Sequence, residues 1–354
     1  MRIKPYVPGK PIEEVQRELG LKDVIKLASN ENPLGPSPGG LKAVEERIGS
    51  IHIYPDGSCF QLKDALSRHL QVDREQIMVG NGSDELLKMI GEAFLNPGDE
   101  VIMAQPSFSE YNYVARLMGA VEVVVPTKDY THDLEAMADA ITEKTKIIFV
   151  CNPNNPTGTI VKRREVEDFL QRVPDNVLVV FDEAYYEYVD DPDYPQTLEY
   201  IAAGRNVITL RTFSKIYGLA GLRVGYGVAT KEVAQLVDRV REPFNVNSLG
   251  QIAGVGALAD TDFLQRSRQV NREGRDYLYQ AFADLGLRYV PTQANFILVD
   301  VGQDSSDVFK KLLAQGVIVR SGDIFGLQTY LRVTIGKAEE NERFINALKK
   351  VLGK

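Results

Sequence analysis

The chain has 354 residues, 44% hydrophobic and 25% charged, and its 41 Lys and Arg against 49 Asp and Glu leave a formal charge of −8. That is the balance of an ordinary globular protein, long enough for two structural units. It offers no basic stripe for nucleic acid and argues against an anionic membrane surface, whereas small-molecule anions held by local arginines stay open.

Two cysteines, Cys59 and Cys151, are too few for a disulfide framework, and His52, His69 and His132 match no zinc-ligand spacing, so no metal is expected. No apolar run approaches bilayer length and the first residues lack a secretory pattern, so the expectation is a soluble, cytoplasmic protein.

In chain order, the first forty residues are dense in turn signals ("VPGKP", "ENPLGPSPGG") and read as an extended arm carrying one short helix over 12–19. From about Tyr54 short apolar strands alternate with helical patterns. The strands expected are "QIMVG" (76–80), "EVIMA" (100–104), "EVVVP" (122–126), "KIIFVC" (146–151), "VLVVF" (177–181), "VITL" (207–210) and "VGYGVA" (224–229). Several are apolar throughout, as in strands covered on both faces, and "SDELLKMIGEAFL" and "RREVEDFLQRV" read as helices between them. The alternation predicts an α/β unit with a mostly parallel sheet. After Glu242 two helical stretches precede the strands "ANFILVDV", "GVIVRSG" and "TYLRVTIG", with the helix "SSDVFKKLLAQ" among them and "NERFINALKKVL" closing the chain. This predicts a smaller α+β unit. The expected division is a large unit over 40–265 and a small one built from 1–39 and 266–354.

Four predicted strands end in polar turns: "QIMVG" in "NGSDE", "KIIFVC" in "NPNNPTG", "VLVVF" in "DEAYYEY" and "VITL" in "RTFSK". In open parallel sheets the ligand crevice lies outside the carboxyl ends of the strands, so these segments converge on one edge. Each alone has a plainer reading. Ser83 is a helix cap with Asp84 and Glu85 at the helix's positive end, the Asn-Pro pairs make a loop, Asp182 caps the next segment, and Lys215 is a solvated lysine. No glycine-rich dinucleotide turn follows the first strands, which removes a dehydrogenase.

"SKIYGLAGLRVGY", "DEAY" and "NPNNPTG" together resemble the fold-type-I pyridoxal-phosphate aminotransferases, and "KLASNENPLGPSP", "IYPDG" and "YLRVTIG" are similar to the histidinol-phosphate branch of that family. The resemblance covers essentially the whole chain. It implies an α/β fold with a seven-stranded, mostly parallel sheet and a smaller α+β domain, with pyridoxal 5'-phosphate as cofactor.

By that resemblance, Lys215 forms the Schiff base and moves the substrate proton, Asp182 pairs with the ring nitrogen, and Asn155 and Tyr185 hydrogen-bond the ring oxygen. Phe108 stacks on the ring. Gly82, Ser83 and Asp84, with Thr212, Ser214 and Arg223, hold the phosphate, and Tyr54 reaches the phosphate of the neighbouring subunit, which implies a homodimer with a composite site. Arg332 and Arg320 read the substrate anion, and Tyr6, Asn32 and Asn155 complete its pocket. Pro106 and Pro156 stand where relatives carry cis bonds. The implied reaction is ping-pong transamination between histidinol phosphate and 2-oxoglutarate. Transamination of aromatic amino acids and decarboxylation of threonine phosphate are the alternatives built on the same plan.

Overall fold

In the computed structural model, which describes residues 9–354, the strands come in the order β1 (Ile25–Lys26), β2 (Ile77–Gly80), β3 (Glu100–Gln105), β4 (Val121–Pro126), β5 (Thr145–Cys151), β6 (Leu178–Asp182), β7 (Val207–Thr212) and β8 (Gly225–Val228). Strands β2 to β8 form one seven-stranded sheet in the order β2-β8-β7-β6-β5-β3-β4. β8 runs antiparallel to both its neighbours, and the other pairs are parallel. Every residue of β2, β6, β7 and β8 is buried, so the uninterrupted apolar runs are those of strands covered on both faces. Alternate side chains feed two separate cores. Ile148, Val150, Val179 and Phe181 enter one, and Ile147, Phe149, Leu178 and Val180 enter the other. Burying each such side chain contributes about 1.5–3 kcal/mol, so these central strands fix the position of whatever follows their carboxyl ends.

The second unit adds β9 (Arg288–Val290), β10 (Phe296–Asp300), β11 (Val317–Ile318), β12 (Arg320–Ser321) and β13 (Tyr330–Thr334). Four of them make an antiparallel sheet in the order β12-β13-β10-β9, whose core contains Ile297, Val299, Leu331, Val333 and Phe344. The segment "GVIVRSG", expected as one strand, breaks at Val319. β11 pairs in parallel with β1 of the arm, and β12 turns onto β13. Val15, Ala28 and Ile318 close a small cluster there, so the arm packs on the second unit.

The arm helix spans Ile12–Leu19 and ends at Gly20. A second helix, Pro38–Arg47, begins inside the stretch that the sequence reads as arm. Ser37 accepts a hydrogen bond from the Gly40 backbone, and Pro38 fills a position with no intrahelical partner for an N–H. The long helix Thr261–Asp284 runs unbroken across position 265, the expected end of the large unit, and delivers Leu278 and Phe282 to the smaller core.

Candidate active site

The turns after β2, β5, β6 and β7 meet beside β13 around a cavity of about 480 Å³, lined among others by Ser83, Phe108, Asn155, Asp182, Tyr185, Thr212, Ser214, Lys215, Arg223, Arg320 and Arg332. It continues past Phe108, Asn155 and the two arginines into a further space of about 440 Å³ reaching Tyr113 and Phe325.

Lys215 follows β7 and donates from Nζ to the Ser29 carbonyl at 3.3 Å, with the Tyr185 ring centroid 5.6 Å away. Burial first, and then the charge of Arg332, push its pKa down from 10.5 to about 8. A lysine so placed holds a substantial neutral fraction in mildly alkaline solution, and the neutral amine is the nucleophile and base.

Asp182 is the last residue of β6 and only 2% exposed. Its carboxylate accepts from Tyr111 Oη at 2.9 Å and from the Ala184 N–H at 3.2 Å. Burial raises its pKa from 3.8 to about 6, opposed by the Tyr111 bond. Both donors are neutral, so a cationic N–H entering the cavity would stabilise the ionised form. Tyr111 stacks on Phe149 with centroids 4.6 Å apart and meets Phe108 edge-on at 5.7 Å, which supports an aromatic wall beside Asp182.

At the opposite end lies the start of helix Ser83–Phe94. Gly82 has φ +84°, and a Cβ there would stand 2.5 Å from Arg223 Nη2; at Gly225 a Cβ would stand 2.4 Å from the Ser83 nitrogen. Both glycines let backbone and guanidinium close around the helix start. Arg223, itself at φ 52°, donates to Ser214 Oγ at 3.4 Å and to Asp84 at 3.1 Å. Thr212 Oγ1 accepts from the Ser214 N–H at 3.1 Å and fixes that turn. Backbone N–H groups, a hydroxyl and a guanidinium around one helix start make an anion cradle.

Arg332 on β13 and Arg320 on β12 are direct cross-strand partners. Arg332 is 7% exposed and donates to Asn155 Oδ1 and to the Ala28 carbonyl, each at 2.6 Å. With the Asn155 oxygen taken by Arg332, the donor end of that amide remains for a ligand. Tyr185 is buried, edge-on to Phe296, with centroids 5.1 Å apart. Burial holds its phenol above the usual range, so it stays protonated.

One expected pocket residue stands elsewhere. Asn32 does not line the cavity; its amide donates to the Ile216 carbonyl at 2.7 Å and to Ser267 Oγ at 2.9 Å, tying the arm to the loop after Lys215. Asn30, which the sequence reading passes over, lines the cavity instead, as Tyr111 reaches Asp182 without a motif to mark it. Asn30 holds φ 57°, a left-handed conformation that asparagine tolerates, but in sequence nothing separates it from the neighbouring Asn32. Tyr54 lies outside the cavity of its own chain, 79% exposed and stacked on Phe244 at 4.9 Å. Tyr6 falls outside the described residues. Cis bonds precede Pro106, Pro153 and Pro156.

Among the described residues no cluster of His, Cys, Asp and Glu could hold a metal ion, and no helix is long and apolar enough to cross a membrane. The family model for aminotransferase class I and II matches residues 22–348. The histidinol-phosphate aminotransferase of Moorella thermoacetica is 61% identical over 99% of this chain and 92% of its own. That of Caldicellulosiruptor saccharolyticus is 50% identical over 99% of this chain and 98% of its own. Among solved structures, the histidinol-phosphate aminotransferase of Sinorhizobium meliloti in complex with pyridoxal-5'-phosphate superposes with a TM-score of 0.91 at 32% identity, covering 98% of this chain and 95% of that one.

Proposed function

The chain belongs to the class I and II aminotransferases, and from that membership we propose that it binds pyridoxal 5'-phosphate and transfers an amino group between histidinol phosphate and 2-oxoglutarate in histidine biosynthesis. The observation that carries the reading is the distribution of charge around one cavity. A depressed lysine and a buried carboxylate stand in its middle, an anion cradle lies at one end, and a pair of adjacent arginines lies at the other.

The cavity's donor set fits the cofactor. Asp182 supplies the anion for a ring N–H cation, Asn155 and Tyr185 supply donors for a ring oxygen, Phe108 an apolar face, and the Ser83 helix start with Ser214 and Arg223 a phosphate site. Bound there, pyridoxal phosphate supplies an electron-accepting ring conjugated to the substrate's amino carbon. The protein does the rest. Lys215 Nζ, kept partly neutral by burial and Arg332, would take the proton from the amino-bearing carbon as general base. Asp182 keeps the ring nitrogen protonated. Arg320 and Arg332 hold the substrate phosphate, and two guanidiniums on neighbouring strands suit a dianion better than a single carboxylate would.

The same reading includes a cytoplasmic homodimer. Ile51, Ile53, Tyr54, Phe60 and Phe244 are all exposed, and exposed apolar side chains of this kind support an interface here. A second copy covering it carries Tyr54 towards the neighbouring cradle.

Separate mixing of the cofactor-loaded protein with histidinol phosphate, phenylalanine or threonine phosphate tests the substrate. Rapid bleaching of the yellow visible band by histidinol phosphate, without carbon dioxide, is expected. Faster bleaching by phenylalanine assigns an aromatic transaminase, and gas from threonine phosphate assigns a decarboxylase.

A further inference from the structure

Asn30 sits in the arm, 1% exposed, and joins three elements. Its backbone N–H donates to Thr334 Oγ1 at 3.0 Å, and Thr334 Oγ1 is 3.1 Å from Asn30 Oδ1. Asn295 donates to its carbonyl at 3.0 Å. Its Nδ2 lies 2.9 Å from Tyr185 Oη.

These contacts determine where the protons go. The Thr334 oxygen already accepts the Asn30 N–H, so its single proton is available to Asn30 Oδ1. The amide then turns Nδ2 towards Tyr185, and the phenol oxygen must accept there. Flipping the amide would take the phenol's proton and remove the acceptor that the buried Thr334 hydroxyl has in Asn30 Oδ1. A buried donor left without an acceptor is destabilising. With Asn30 occupying a lone pair, the Tyr185 O–H is left to point into the cavity it lines.

We infer that Asn30, locked by Thr334, is a positioning residue that directs the Tyr185 proton at the cofactor's ring oxygen. The inference rests on the cofactor reading above. Thr334 lies two residues from Arg332 on β13, so the strand that carries the substrate arginine also carries this lock. The charged and titratable groups around Tyr185 include Arg332 from β13, Lys215 after β7, Cys151 from β5, Asp182 from β6 and Tyr188 in the following turn.

The test is a pH titration of the visible band of the cofactor-loaded protein. A donor to the ring oxygen stabilises its anionic form, so losing it raises the midpoint. Asn30→Asp presents an oxygen to Tyr185 and captures its proton. We expect the midpoint to rise by about one pH unit, tenfold in proton affinity, as in Tyr185→Phe. In the Tyr185→Phe background Asn30→Asp should add little. Thr334→Val removes the lock without adding charge, and should shift the midpoint less in the same direction; it decides the matter if Asn30→Asp does not fold. Unmoved midpoints, or an Asn30→Asp shift of full size in the Tyr185→Phe background, overturn the inference while the cofactor reading stands. A protein that acquires no visible band with pyridoxal phosphate removes both.

Discussion

Arg332 and Asn155 share a buried hydrogen bond 2.6 Å long, from a guanidinium of the small sheet to the amide in the turn after β5 of the large one. On the proposed reading, one cation thus faces the substrate anion and orients a cofactor donor at once. Replacing Arg332 with Lys keeps the charge but not the fork that reaches both Asn155 and Ala28. Steady-state kinetics of Arg332→Lys should show kcat/KM for histidinol phosphate falling by about 10- to 100-fold, the range for a hydrogen bond to a charged group of about 1.5–3 kcal/mol. A loss below threefold would detach Arg332 from substrate binding.

Asp182 separates activity from stability. Burial pushes its pKa in the folded, cofactor-free chain up to about 6 from the ordinary 3.8, so between those values the folded state binds more protons. Stability therefore falls as pH rises through about 4 to 6, with a cost on the order of 3 kcal/mol above that window. Asp182→Asn should unfold at higher urea than the parent at pH 7.5 without cofactor, yet lose transaminase activity by several orders of magnitude. A parent protein whose cofactor-free stability rises between pH 4 and 6 at the Asp182-dependent step would reverse the sign.

Gly225→Ala tests the anion cradle without touching a charged group. The added Cβ meets the Ser83 nitrogen at 2.4 Å, so the helix start must move. Equilibrium titration of the apoprotein should show pyridoxal phosphate binding at least about tenfold more weakly, about 1.4 kcal/mol. Binding of pyridoxal, which lacks the phosphate, should change far less.

The exposed apolar surface around Tyr54 should be covered in solution. Sedimentation of the native protein is expected to give a dimer, and Ile51→Asp, which places a carboxylate in that surface, is expected to give monomers with weakened cofactor binding. A native monomer with full activity would leave Tyr54 without its assigned role.

Much of this was legible from local pattern. The apolar strands are continuous because both sheet faces are covered, and their carboxyl ends bring "NGSDE", "NPNNPTG", "DEAY" and "RTFSK" to one rim. On "YLRVTIG" the alternation puts Leu331 and Val333 in the core and Arg332 on the opposite face, which a strand considered alone would leave in solvent. The large unit, through Asn155 in the turn after β5, covers that face, and only tertiary structure supplies that. The choice between Asn30 and Asn32 likewise depends on the arm's path, since both are asparagines in a turn-rich stretch, and the partner of Thr334 lies 304 residues away. Tyr111 reaches Asp182 because helix Glu110–Leu117 presents that side inward, a rotation its short sequence does not specify.

The most direct measurement is borohydride reduction of the protein loaded with pyridoxal phosphate, followed by peptide mass analysis. The expected result is one cofactor-sized mass addition on Lys215, abolished in Lys215→Ala. A stable addition on a different lysine, or none in a protein that still transaminates, would contradict the assignment of Lys215 as the residue that holds the cofactor.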